Sequence, residues 1–221
     1  MRSHVVPAIV LTTLALTATS LAGTAGAEPP EPVPIHQGVA GTVVVPDAPA
    51  GTVCARNNGV PNGDGINAQH WEHVYRAYNV RAAADLTPRR RCIVSSVDIT
   101  GLFLGDDGPS SSVEIQIRKD AAGLPGRTSC AATLSAPGPS FTVPVVDCTL
   151  RKDRTYWLAV QVDQNYHPNG QWFWATTDER MGLNDAWKNR RNGLGTGCRD
   201  WDTIDNCRGF AWDLLFSVNR S

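Results

Sequence analysis

The chain has 221 residues, enough for one ordinary domain with appendages, and its 20 basic and 21 acidic residues leave a net charge of −1 at pH 7. That balance excludes the electrostatic footprint needed to hold nucleic acid or an anionic membrane surface. The local run Arg89-Arg-Arg91 is too short to change this and reads as a solvated turn.

The first segment carries Arg2, an apolar run around Ile9–Leu16 and small residues ending Ala25-Gly-Ala27. This is the pattern of a secretory signal peptide over 1–27, with cleavage expected after Ala27. Residues 28–53 begin Glu-Pro-Pro-Glu-Pro and form a proline-rich leader, expected to be partly disordered. Gly41–Pro46 could add an edge strand, ended by its proline. No later apolar run is long enough to span a bilayer. The rest, 54–221, is expected to be a single exported domain.

Six cysteines (54, 92, 130, 148, 198 and 207) in an exported chain read as three disulfides. Proximity favours Cys198–Cys207 and Cys130–Cys148, the latter as the staple of a hairpin, and exclusion leaves Cys54–Cys92. Metal binding by these cysteines is disfavoured, since no pair has C-x-x-C spacing.

Segment 69–86 is ambiguous. Trp71, Val74, Tyr75 and Tyr78 fit helical spacing, whereas Trp71, His73 and Tyr75 fit alternation. A short strand with an irregular segment is favoured, because everything downstream reads as β. Val113, Ile115 and Ile117 alternate with Glu114, Gln116 and Arg118, a half-exposed strand. Thr128–Leu134 and Phe141–Val146 read as a strand pair. Tyr156–Val162, Gln171–Ala175 and Trp212–Val218 follow. About eight to ten short strands between Gly, Pro and Asp turns predict an all-β antiparallel β-sandwich, stapled by disulfides.

Several motifs carry a resemblance: Gln69-His-Trp-Glu72, Gly108-Pro-Ser-Ser111, Gly123-Leu-Pro-Gly126, Thr155-Tyr-Trp157, Gln171-Trp-Phe-Trp174, Ala186-Trp-Lys-Asn189 and Gly193-Leu-Gly-Thr-Gly-Cys198 leading to Trp201. Over roughly 54–219 the chain resembles a family of exported bacterial β-sandwich modules of jelly-roll type. The resemblance implies a jelly-roll and a module of larger secreted proteins with no assigned activity; Cys54 and Cys92 are not among the matched motifs.

Five of the seven tryptophans lie between Tyr156 and Cys207. Burying Trp172, Trp174, Trp187 and Trp201 together would demand a partner for every indole N–H. Exposed rings stack on sugars, and Gln171 and Asn189 could add hydrogen bonds, so these six residues are the candidate ligand site. The competing reading packs the rings under the Gly193–Gly197 loop as a satellite core. That loop is not a phosphate cradle, lacking the Lys-Ser/Thr and the strand–loop–helix setting.

No nucleophile elbow, zinc-peptidase motif or Cys–His pair is present, and His36, His70, His73 and His167 have no third ligand at metal spacing. No cofactor is expected beyond a structural calcium ion, for which Asp85, Asp106 and Asp107 are the candidate ligands; turn-forming Asp beside Gly is the commoner cause of such residues. The sequence therefore favours a secreted, non-catalytic module for a glycan or cell-envelope ligand. The alternatives are a structural or interaction protein at the cell surface and a carboxylate-based hydrolase.

Overall fold

A computed structural model describes residues 53–104 and 110–221. The expected signal peptide, most of the expected leader with the strand considered for Gly41–Pro46, and Asp106 and Asp107 lie outside the described residues. In chain order the elements are β1 (Val53–Asn57), β2 (Pro61–Asn67), β3 (Gln69–His70), a 3-10 helix (His73–Tyr78), β4 (Arg81–Leu86), β5 (Cys92–Ile99), β6 (Gly101–Leu104), β7 (Ser112–Asp120), β8 (Pro125–Ser135), β9 (Phe141–Leu150) and β10 (Tyr156–Asp163). Then follow α1 (Tyr166–Asn169), β11 (Gln171–Thr177), β12 (Ala186–Lys188), β13 (Asp202–Thr203), α2 (Ile204–Arg208), β14 (Asp213–Leu214) and β15 (Phe216–Arg220).

The protein is an all-β sandwich of packed antiparallel sheets. One sheet runs β1-β15-β5-β9, and a second runs β13-β12-β4-β10-β7-β8, with β3 parallel to β10. A third runs β14-β11-β2, with β6 also on β11. Period-two alternation decides what each sheet buries. Val97, Ile99, Val143 and Val218 of the first sheet join Ala82, Ala84, Val113, Ile115, Ile117, Leu158, Val160 and Val162 of the second in one core. Strand β11 is buried along its whole length. Its Trp172 and Trp174 face the main core, while Phe173 and Ala175 pack with Leu102 and Leu215 in a separate cluster.

Segment 69–86 is strand, 3-10 helix and strand, so the expected short strand is present but a single 3-10 helix stands where an irregular segment was expected. The helical spacing fails at Val74, which is 69% exposed while Trp71 and Tyr75 are buried. A 3-10 turn holds three residues, so Tyr75 and Tyr78 eclipse and Val74 is thrown outward.

All three disulfides are formed: Cys54–Cys92, Cys130–Cys148 and Cys198–Cys207. The hairpin expected from Thr128–Leu134 and Phe141–Val146 is not there. Strand β8 pairs with β7 and β9 with β5, so Cys130–Cys148 joins two different sheets. Alternation was visible in both segments, but alternation does not specify a partner.

Cys198 and Cys207 are buried beside Trp187 and Ile204 in the main core. Their bridge spans a sequence separation of 9, worth about 2–3 kcal/mol by loop entropy. Replacing both with serine should lower unfolding free energy by about that amount while far-ultraviolet circular dichroism stays that of a β-sandwich. Hydrogen exchange should then quicken in 193–209 and stay slow in β10. Loss of the folded signal would show that the sandwich depends on this loop.

Candidate functional site

Of the six residues the sequence put forward, five are buried. Trp172, Trp174 and Trp187 are fully buried. Their indole N–H groups donate to backbone carbonyls of Pro139 (2.8 Å), Leu215 (2.8 Å) and Asn67 (3.0 Å). The partners that seemed scarce in sequence are main-chain oxygens brought close by the fold, and these rings offer no plane to a ligand. Gln171 is buried in β11. Asn189 is also buried; its amide donates to the carbonyls of Ala77 and Asn79 and accepts from the Leu194 N–H, tying the glycine-rich loop to the 3-10 helix. Gly193 permits that approach, since a Cβ there would lie 2.6 Å from the Ala77 carbonyl. The loop closes on Ala77, whose carbonyl accepts from the Gly193 N–H at 2.9 Å.

Trp201 is the exception. It is half-buried and packs against Trp157, Ala83, Ala159 and Ala186 on the outward side of the six-strand run in the second sheet. Lys188 Nζ lies 4.5 Å from its ring centroid, a cation–π distance.

That outward side is ordered in rows by strand register. Lys188 stands opposite Arg81, and Arg81 donates to Gln161 Oε1 at 2.8 Å. Gln161 stands opposite Glu114, and Glu114 opposite Thr133. The row is thus Lys188, Arg81, Gln161, Glu114, Thr133. Beside it runs Ala186, Ala83, Ala159, Gln116, Ala131, a low floor of mostly methyl groups. The next row places Trp157 opposite Arg118 and Arg118 opposite Thr128. On the other side Asp163 stands opposite Ser112, and Ser112 opposite Ser135.

These side chains hold one another. Arg81 pairs with Glu114 at 2.5 Å, Gln116 donates to Glu114, and Arg118 donates to Gln116 and Thr128. Trp157 is buried on this side, with its indole N–H donating to Asp120 at 2.9 Å. Partial burial pushes the Glu114 carboxyl up, but hydrogen bonds from Gln116 and Arg81 and the charge of Arg81 outweigh it and hold the group below its ordinary range. A cleft of about 430 Å³ opens here, lined by polar side chains from His70, Ser112, Glu114, Thr133, Gln161 and Asp163. His70 lies 3.2 Å from Asp163. The neighbouring segments carry an aromatic cluster that sequence reasoning missed, in which Tyr166 meets Trp71 at 5.6 Å and Tyr75 at 5.7 Å. The i, i+3, i+4 spacing around Trp71 was its only sequence signal.

A second cleft, about 740 Å³, includes Arg56, Arg89, Arg90, Asp85, Asp185 and Asp213 in its lining. The three carboxylates clamp backbone. Asp85 accepts from Leu183 N–H (2.9 Å), Asp213 from Met181 N–H, and Asp185 from the N–H groups of Asp85 (3.1 Å) and Leu214 (2.6 Å). A Cβ at Gly182, whose φ is +85°, would collide with the Asp85 carboxylate. Burial first, then mutual repulsion, raises Asp185 well above the usual range. Burial and the nearby charges of Asp213 and Asp120 raise Asp85 to about 6, against the Leu183 hydrogen bond. Among the described residues no group of three or more His, Cys, Asp or Glu is placed to hold a metal ion.

No protein-family profile and no curated protein matches this chain. Among solved structures, it is similar to the cysteine protease and lectin-like domains of Cwp84, a surface layer associated protein of Clostridium difficile. The TM-score is 0.42 at 15% identity, over 64% of this chain and 32% of that one. It is similar at the same level to the clostridial Cwp84 cysteine protease after propeptide cleavage, covering 36% of that chain. The chain spans about a third of the length of these structures. At this distance the functional reading rests on the residues above.

Two stability measurements check this placement. Trp187→Ala should cost about 3–5 kcal/mol of unfolding free energy, whereas Trp201→Ala should cost about 1 kcal/mol; equal costs would contradict the assigned burial. Asp85 has a folded pKa above its unfolded one, so its stabilising contribution is full below about pH 4 and is lost as pH rises through about 6. The melting temperature of Asp85→Asn relative to the natural protein should therefore climb as pH goes from about 4 to 7. A flat or falling difference would contradict the clamp's electrostatics.

Proposed function

We propose that this protein is an exported, non-catalytic binding module that takes a glycan on the outward side of the six-strand run β13-β12-β4-β10-β7-β8. The observation that carries the reading is the row Lys188, Arg81, Gln161, Glu114, Thr133, beside an alanine floor and opening into a cleft of about 430 Å³. Sugar hydroxyls both donate and accept, and a planar array of amide, guanidinium and carboxylate groups already held by mutual hydrogen bonds meets them at little ordering cost. Trp201 at one edge supplies a partly exposed ring for stacking. The three disulfides suit an oxidising, extracellular compartment. No helix among the described residues is long and apolar enough to cross a membrane.

The second reading, a structural or interaction protein at the cell surface, is favoured by one observation. Trp172, Trp174 and Trp187, which a ligand would have used, support the core instead.

Retention on a panel of insoluble cell-wall and plant polysaccharides separates the two. Binding to at least one is expected, and Arg81→Ala or Gln161→Ala should weaken it by about tenfold, the scale of one lost charged or cooperative hydrogen bond. Val146→Ser, at an exposed site on β9, should bind like the natural protein. No retention on any polysaccharide, or retention indifferent to Arg81 and Gln161, would favour the structural reading.

A further inference from the structure

We propose that the ligand of this face is an acidic glycan, and that a sugar carboxylate is received by Lys188, Arg81 and Arg118 beside Trp201. This rests on the glycan-binding reading and adds the ligand's charge. The three cations come from one sheet: Lys188 and Arg81 from the neighbouring strands β12 and β4, and Arg118 from β7, across the intervening β10. Lys188 and Arg118 form no ion pair with a carboxylate among the described residues; Lys188 lies over the Trp201 ring, and Arg118 donates to Gln116 and Thr128. Glu114 is engaged by Arg81 and Gln116, and Asp120 by the Trp157 indole.

Two donors here are buried and lack a hydrogen-bond partner among the described residues: Arg118 Nε and Trp201 Nε1. Buried N–H groups rarely stay unpaired. A carboxylate, which only accepts, fits a site whose surplus is donors. A neutral hydroxyl would bring another donor and leave the charge uncompensated.

The charge surroundings agree. Burial first, and then the charges of Arg81, Arg118 and Arg190, lower Lys188 to about 8, with the charge of Asp200 opposing. Glu114 acts on Arg118 in the same cluster. Bringing a carboxylate to this group would favour its protonated form. Binding near pH 8 should then take up a proton.

The test uses a short oligogalacturonate and its methyl ester, titrated calorimetrically into the whole protein. The acid should bind at least about tenfold tighter than the ester, lose that advantage in Lys188→Gln and in Arg118→Gln, and show proton uptake from the buffer dependence of its heat at pH 8. Equal affinity for acid and ester, or tighter binding of the ester, would overturn the acidic-glycan inference and leave the glycan-binding module standing. Binding of neither, together with no retention on any polysaccharide, would overturn both. A preference for sulfated or phosphorylated sugars over the uronate would overturn the assignment of a carboxylate.

Discussion

Strand β10 lies between β4 and β7, and its register with both fixes what each side of the second sheet can do. Because side chains alternate, Leu158, Val160 and Val162 must enter the core once Trp157, Ala159 and Gln161 face outward. A slip of one residue would expose three branched side chains and bury Gln161. The hydrophobic core therefore also aligns the polar row, and the same burial that stabilises the sandwich keeps Arg81, Gln161 and Glu114 abreast. The site needs no loop rearrangement to exist.

The two sides of the sheet use different residue sizes for physical reasons. Inward positions on β7 and β10 carry Val, Ile and Leu, whose burial contributes about 1.5–3 kcal/mol each. On the outward side Ala83, Ala159 and Ala186 keep the surface low, so that longer neighbours can lean across it. At the far end, buried carboxylates hold the 181–185 segment by accepting its N–H groups, at the cost of mutual repulsion. The protein thus separates its charges: an acidic clamp closed on its own backbone, and a basic cluster with donors to spare.

Much of this was legible in the sequence. Alternation in 113–118 and 156–162 gave the half-exposed strand and the core strand, and the six cysteines gave the three bridges. Sheet membership was not legible, because Phe141–Val146 alternates equally well beside β8 or β5. The site was misread for a related reason. Counting tryptophans against side-chain partners leaves out main-chain carbonyls, and Pro139, Leu215 and Asn67 supply them only once the chain has folded. The polar row could not be seen either, since Lys188, Arg81, Gln161, Glu114 and Thr133 are scattered over five strands and meet only through register. What the sequence did show was Trp201 and the outward Glu114, Gln116 and Arg118.

The central claim is that the outward side of this sheet is where ligand sits. Amide and indole chemical-shift mapping, with a mixture of acidic and neutral cell-wall oligosaccharides added to the isotopically labelled protein, addresses it most directly. The account predicts shifts concentrated at Arg81, Glu114, Gln116, Gln161, Lys188 and the Trp201 indole, with the Trp174 indole unmoved. Shifts confined instead to the Arg89–Arg90 cleft, or spread through the core, would contradict it.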